Sequence, residues 1–190
     1  MGEPTKFAVI ELDLHQISKQ NIQFTIIGSI VLLGLYALIY GLHIHISWTL
    51  LRDFTLFAIG YCALIVLHEM CHLIGFVLFG RVPLRTLKYG LNLKMGVAYA
   101  TTTELLPNSV MRKALLLPFW VTGVVPALIG FWLESPMLVL LGAWLIAGAV
   151  GDFAMYAGLL KYPKHCLVKD DETYPRLHLY TTNPLEKKSA

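Results

Sequence analysis

The sequence has few charged residues. Only 14% of its 190 residues are Asp, Glu, Lys or Arg, whereas a soluble domain of this size has about 25%. Hydrophobic residues make up 56%, and the scarcity of charge is concentrated in long stretches that carry almost none. This distribution excludes an ordinary soluble domain and predicts a chain that crosses a lipid bilayer.

Cysteine is also scarce. Cys62, Cys71 and Cys166 are odd in number and irregularly spaced, so they indicate neither a disulfide framework nor a cysteine-based zinc site. Residues 1–21 are polar and mixed in charge, and no secretory signal is expected there. The net charge of +3 comes without a recognition motif, so no nucleic-acid partner is predicted. The sequence does not specify an oligomeric state.

Four apolar segments have the length of a membrane span, about 20 residues each. They predict an all-α membrane protein with one domain over residues 1–190, and the spans are 24–42, 54–80, 114–133 and 136–160. Pro118 and Pro126 are expected to bend the third span. The link around Glu134 and Ser135 is very short, which predicts a tight antiparallel hairpin of the last two spans.

The basic residues predict the orientation of the spans. If the spans alternate, the N-terminal tail, the second loop and the C-terminal tail share one side. That side holds 14 of the 15 Lys and Arg residues, and Arg52 alone lies on the other. Because basic loops stay in the cytoplasm, both termini and the second loop are expected to be cytoplasmic in a multi-pass protein of the cell membrane.

Short strand patterns occur in the parts predicted to be cytoplasmic. Residues 87–101 indicate a β-hairpin that turns around Asn92. Apolar and polar residues alternate near the N-terminus at 10–15 and again at 176–181. The fold class is therefore four transmembrane helices with a small cytoplasmic β-hairpin or sheet.

The second span contains the motif His68-Glu69-Met70-Cys71-His72. On a helix, His68 and His72 lie on one face with Cβ atoms about 5–6 Å apart, so both imidazoles can reach one Zn²⁺ ion. Glu69 lies about 100° further round the helix, where it can hold a zinc-bound water as a general base. The spacing predicts a zinc-hydrolase site.

The same five residues could arise by chance on the solvated face of a soluble helix. Here the motif is flanked on both sides by apolar residues. Each ionisable group inside a span costs roughly 2.5–3.5 kcal/mol, and three such groups within five residues would be a heavy cost without a ligand to compensate them. The metal-site interpretation is favoured.

A catalytic zinc needs a third protein ligand. Asp152 is the other ionisable residue inside the spans once the edge residues Asp53 and Glu134 are set aside. It lies eight residues before the end of its span, as His72 does, so both are about 12 Å from that end. These positions predict Asp152 as the third ligand, although a carboxylate that only bonds within the helix bundle is the alternative.

Several other polar or small residues are open to more than one interpretation. Gly75 could leave room for substrate or serve helix packing, and Cys71 could line the site or simply pack. Asn92 and Asn108 could contact substrate, but a role in turns is expected of each. No metal role is assigned to the histidines outside the spans, which are His15, His43, His45, His165 and His178.

The motif inside a span, the polar hairpin after it and Gly151-Asp152 late in the fourth span resemble the putative zincin peptidases, a family related in plan to the site-2 proteases. The resemblance covers roughly residues 24–180. It implies that His68, His72 and Asp152 bind zinc, that Glu69 is the general base, and that the 87–101 hairpin helps to dock an extended substrate.

The predicted function is zinc-dependent hydrolysis of peptide bonds within the membrane, near its cytoplasmic side. The expected partners are the lipid bilayer and a membrane protein or peptide substrate. One alternative is a metal-binding membrane protein without hydrolytic activity, either a transporter or a degenerate protease that acts as a binding partner. A second alternative is a hydrolase that acts on non-peptide substrates. A haem cytochrome is less favoured because both span histidines lie on one helix.

Overall fold

The computed structural model describes residues 4–41, 48–92, 97–171 and 174–181. Most of these residues are helical. The helices are α1 Leu14–Tyr40, α2 Trp48–Gly80, α3 Asn108–Pro118, α4 Val125–Trp132, α5 Pro136–Gly148 and α6 Val150–Leu160. A π-helical segment, Phe119–Val124, joins α3 to α4, and a single 3₁₀ turn, Leu84–Thr86, follows α2.

Short antiparallel strands form two sheets. The strands are β1 Thr5–Glu11, β2 Leu87–Asn92, β3 Val97–Thr102, β4 Leu106–Pro107, β5 Leu167–Asp170 and β6 Arg176–Thr181. One sheet has the order β1-β6-β5-β4, and the other is the β2-β3 hairpin. The hairpin and β6 confirm the strand patterns at 87–101 and 176–181, whereas the turn of the hairpin lies outside the described residues. The N-terminal strand lies at Thr5–Glu11 rather than at the predicted 10–15, because the chain from Leu14 onward forms helix α1.

Four helical stretches in the described residues are long and apolar enough to cross a membrane. They are Leu14–Tyr40, Leu51–Gly80, Asn108–Trp132 and Pro136–Leu160. Large apolar side chains are exposed along them, with Leu38 86% and Leu78 64% exposed, as expected where lipid replaces water. The first helix begins at Leu14, ten residues before the predicted span, because residues 14–23 add helical turns that are more polar than the span.

Two of the spanning stretches are interrupted. The third contains the π-helical segment directly after Pro118, where the helical turns are wider. The bend expected at Pro118 and Pro126 stays a prediction. The fourth is divided at Ala149 into α5 and α6, although the sequence predicts one continuous helix. The division gives Asp152 a place in the first turn of α6.

The described chain separates into two compact units, and α2 passes from one to the other between His68 and Glu69. The prediction of a single domain over residues 1–190 stays a prediction. The sheet unit comprises Met1–Asp13, Glu69–Leu117 and Gly151–Ala190, and the helical unit comprises Leu14–His68 and Pro118–Val150.

The core of the sheet unit lies where the terminal strands meet the ends of α2, α3 and α6. Leu177 and Leu179 alternate inward from β6, and they pack with Val168 of β5 and Leu159 of α6. Period-two alternation on a half-buried strand explains why β6 could be predicted from sequence.

The core of the helical unit depends on small residues. A Cβ on Gly142 would lie 2.6 Å from the backbone nitrogen of Ala127, and a Cβ on Gly130 would lie 2.5 Å from that of Val139. These contacts bring α4 and α5 together in the predicted tight hairpin, because small residues allow helix backbones to approach closely. Ser135 caps α5 by accepting a hydrogen bond from the backbone N–H of Leu138.

Candidate metal centre

Helix α2 carries three polar side chains of the motif within little more than one turn. His68 and His72 are buried, at 9% and 8% exposure, although their neighbours Val66 and Met70 are exposed. The apolar sequence favours a continuous helix, and the four-residue spacing places both imidazoles on its buried face. Cys71 is 2% exposed and packs in the interior.

Asp152 faces the motif from α6. Its Oδ1 lies 3.4 Å from Nε2 of His72, and the two side chains are 17% and 10% exposed. Both residues belong to the sheet unit. Asp152 lies in the first turn of α6, the end of a helix that favours a negative charge.

His68, His72 and Asp152 each offer a ligand atom, and these atoms all lie within 4.8 Å of one another. His68 is joined to His72 through the unbroken helix α2. In a tetrahedral zinc site with bonds of about 2.0–2.2 Å, ligand atoms lie about 3.3–3.6 Å apart. Two imidazoles and one carboxylate are a donor set that zinc accepts, so the residues present fit a zinc ion and could hold one.

Glu69 is partly buried and lies beside this group rather than within it. Its negative charge and that of Asp152 both act on the imidazole of His72. This placement agrees with the helix geometry that separates Glu69 from the face of the histidines. Its role as a general base stays a prediction.

A third acidic residue of the sheet unit, Asp170 at the end of β5, lies close enough to His72 for the charge of His72 to affect its pKa. Burial raises the pKa of Asp170 to about 7, while the hydroxyl of Thr101 and the charge of His72 act in the opposite direction. No sequence pattern predicted a role for Asp170, which lies in a polar tail.

The other ring nitrogens of the two histidines also have partners. Nδ1 of His72 lies 3.2 Å from the carbonyl oxygen of Ala114, and Nδ1 of His68 lies 3.4 Å from Oγ1 of Thr122. Sequence reasoning missed both partners. A proline inside a span signals a free carbonyl four residues earlier, but it does not tell which side chain will use that carbonyl.

Gly75 is a packing residue. A Cβ at this position would lie 2.9 Å from Cα of Ala114, so the glycine allows α3 to approach α2 closely. The structure therefore supports the helix-packing interpretation of Gly75 rather than space for substrate.

Asn108 has a structural role of the kind expected. Its buried side chain donates to the carbonyl oxygens of Leu159, Tyr162 and Pro163, and so closes the C-terminal end of α6. His178 bonds to Asp171 in the terminal sheet. His43 and His45 lie outside the described residues, and of Asn92 only the backbone is described.

The chain has long apolar helices and a largely buried group of two histidines and one aspartate. These features define a class, namely helical proteins that have apolar helices of membrane-spanning length and a candidate metal centre. Comparison with known families then identifies the chain. Residues 61–167, more than half of its length, match the model of the putative zincin peptidases, and the chain belongs to this family. This membership supports a metallopeptidase and implies zinc. No curated protein and no solved structure matches the chain.

Proposed function

We propose that this protein is a zinc-dependent intramembrane metalloprotease that cleaves membrane proteins or peptides near the cytoplasmic side of the bilayer. The observation that carries the proposal is the convergence of His68, His72 and Asp152, with ligand atoms within 4.8 Å, on helices apolar enough to span a membrane. Family membership supports the peptidase assignment.

The three residues would supply the protein ligands of a catalytic zinc site, which characteristically leaves a fourth position open. Zinc in such a site lowers the pKa of water to about 7 and polarises a carbonyl group. His68 and His72 hold their positions through the helix and through their Nδ1 contacts, and Asp152 contributes a negative charge from α6.

Glu69 acts as the general base in this proposal. Its carboxylate accepts a proton from the attacking water and later delivers it to the leaving amine. The partial burial of Glu69 reduces the screening of its charge by water, which strengthens its electrostatic interactions with the reacting groups. Because Glu69 is not a ligand, its replacement by glutamine would stop proton transfer and leave the metal ligands in place.

A substrate helix hides its carbonyl groups in backbone hydrogen bonds, so it must unwind locally before hydrolysis. In the described residues, β2 pairs only with β3, and this leaves an edge to which an extended segment can add. Tyr89 on β2 is 76% exposed and offers an aromatic surface beside that edge. We expect β2 to hold the unwound substrate, in the plan of the site-2 proteases.

The test uses purified protein in proteoliposomes. A library of fusion proteins, each with one apolar span between two fluorescent proteins, is reconstituted with it and analysed for new termini by mass spectrometry. We expect cleavage within or beside the span by the wild-type protein, and a loss of at least about 100-fold in Glu69→Gln, within the usual range for a catalytic proton-transfer group.

The matched control is Glu134→Gln, which changes an exposed carboxylate at the edge of a span and should leave cleavage unchanged. Cleavage that survives Glu69→Gln or removal of metal by a chelator would overturn the mechanism. Zinc bound without cleavage of any fusion protein would instead support the non-catalytic metal-binding alternative.

A further inference from the structure

Both candidate zinc-binding histidines are contacted through Nδ1 by the same helical segment, which runs from α3 into the π-helical residues. His72 meets the carbonyl of Ala114 and His68 meets the hydroxyl of Thr122. Both contacts are made to Nδ1, the ring nitrogen that would face away from the metal. This pattern indicates that the segment orients the two histidines as metal ligands.

The carbonyl of Ala114 is available because of Pro118. In an α-helix the carbonyl of residue 114 accepts from the N–H of residue 118, and proline has no N–H. The close packing of Ala114 on Gly75 brings this carbonyl to the face of α2 that carries His72. A carbonyl can only accept, so Nδ1 of His72 is the donor and carries a proton.

Thr122 acts on His68 by a related route. Its hydroxyl donates to the carbonyl of Pro118 at 2.8 Å, and this bond uses its single proton. Towards His68 the oxygen can then only accept, so Nδ1 of His68 also carries a proton. Thr122 is fully buried and lies in the π-helical segment, a type of turn often found at functional sites.

A neutral imidazole that holds its proton on Nδ1 has its lone pair on Nε2. We propose that Pro118 and Thr122 are positioning residues, which set the tautomer and ring orientation of His72 and His68 so that both Nε2 atoms face the metal. The inference rests on the proposed function only in the identity of the ion, and it concerns binding of that ion rather than cleavage.

The first test is Thr122→Val, which keeps the shape of the side chain and removes the acceptor. We expect zinc affinity, measured by competition with a chromophoric chelator, to fall about 10–100-fold, as for other hydrogen-bond partners of zinc-binding histidines. Thr122→Ser should restore it. Thr55→Val is the matched control, because Thr55 makes the same 2.8 Å bond to the carbonyl four residues earlier.

The second test is Pro118→Ala, which restores an N–H that competes with His72 for the carbonyl of Ala114. We expect weaker zinc binding and an altered visible spectrum of the Co²⁺-loaded protein, a readout that loss of fold stability alone would not produce. Pro136→Ala is the control, since Pro136 lies at the start of α5, where an added N–H meets no carbonyl of the same helix.

Zinc affinities of Thr122→Val and Pro118→Ala within twofold of the wild-type value would overturn the inference, and so would equal losses in the two controls. A wild-type protein that binds no zinc would overturn it together with the proposed function. If the wild type binds zinc, both variants weaken binding and no substrate is cleaved, the positioning role stands and the proposed peptidase activity fails.

Discussion

At the scale of single residues, Asp152 differs from the two histidines because it comes from a distant part of the chain. Its Oδ1 lies 3.4 Å from Nε2 of His72, which is close to the separation of two ligand atoms on one zinc ion. The contact is also what a plain hydrogen bond between the two side chains would give. Metal affinity distinguishes the two interpretations.

Asp152→Asn is expected to weaken zinc binding by more than the roughly 10–100-fold loss typical of an outer hydrogen-bond partner, because asparagine removes a charged ligand. The measurement is zinc affinity by chelator competition. Asp53→Asn is the control, since Asp53 is 51% exposed and pairs with Arg52. Unchanged affinity in Asp152→Asn would show that the aspartate only bonds to His72.

Asp170 predicts a pH dependence of stability. Burial raises its pKa from 3.8 to about 7, so between these values the folded protein holds a proton that the unfolded chain has lost. The stability that Asp170 contributes is therefore complete below about pH 4 and is lost as the pH rises to about 7. Asp170→Asn cannot titrate and should remove this slope.

The measurement is thermal unfolding of chelator-treated protein in detergent from pH 5 to 8. At pH 8 we expect Asp170→Asn to raise the free energy of unfolding by about 1–3 kcal/mol. A pKa shift corresponds to about 1.4 kcal/mol per unit, and the expected gain is smaller than this full value because Asp170 is partly exposed. Exposed Glu104→Gln is the control. A slope that persists in Asp170→Asn would contradict the prediction.

At the scale of helices, the packing of α2 on α3 depends on one glycine. Gly75→Ala would place a Cβ 2.9 Å from Cα of Ala114, and backbone cannot move aside as a side chain can. We expect a loss of about 1–3 kcal/mol in the free energy of unfolding, as for other overpacked sites, together with weaker zinc binding as Ala114 moves away from His72.

The control is Gly34→Ala in α1, where an added Cβ would meet nothing within 4 Å. This variant should be neutral or stabilised by up to about 1 kcal/mol, because alanine favours the helix more than glycine does. Equal stabilities of the two variants in thermal unfolding would show that the contact with Ala114 does not limit the packing.

Secondary structure was predictable where a segment is long or strictly periodic. The four apolar stretches, the hairpin and β6 were found because hydropathy or period-two alternation runs over many residues. β4 and β5 were missed, since two and four residues are too few for a pattern. The π-helical turn could not be predicted, because it reflects packing around Pro118 rather than local composition.

The candidate site was predictable to a different extent. His68, His72 and Asp152 are ionisable groups in apolar helices. Because an ionisable group in such a helix is energetically unfavourable, these residues could be recognised from the sequence as candidates for a functional site. Thr122 and the carbonyl of Ala114 are ordinary features of a helix until the fold brings them to the histidines. Asp170 stands among other charged residues in the sequence, so its electrostatic interaction with His72 becomes apparent only in the structure.

At the scale of the whole molecule, the proposed function depends on which side of a membrane the candidate metal centre would face. Its position on α2 and α6, eight residues before Gly80 and Leu160, places it nearer to the ends that lead into the hairpin and the C-terminal strands. The side that these polar segments occupy is therefore the side from which water would reach the centre.

Fourteen of the 15 basic residues lie on that side if the four helices alternate across the bilayer, which predicts that it is cytoplasmic. The test fuses alkaline phosphatase, which is active only outside the cytoplasm, after Gly41, Arg81, Glu134 and Ala190. We expect activity after Gly41 and Glu134 alone, and the reciprocal pattern with green fluorescent protein. Activity after Arg81 and Ala190 would place the hairpin outside the cell and contradict cleavage near the cytoplasmic face. Activity after Gly41 with none after Glu134 would mean that the third helix does not cross the bilayer.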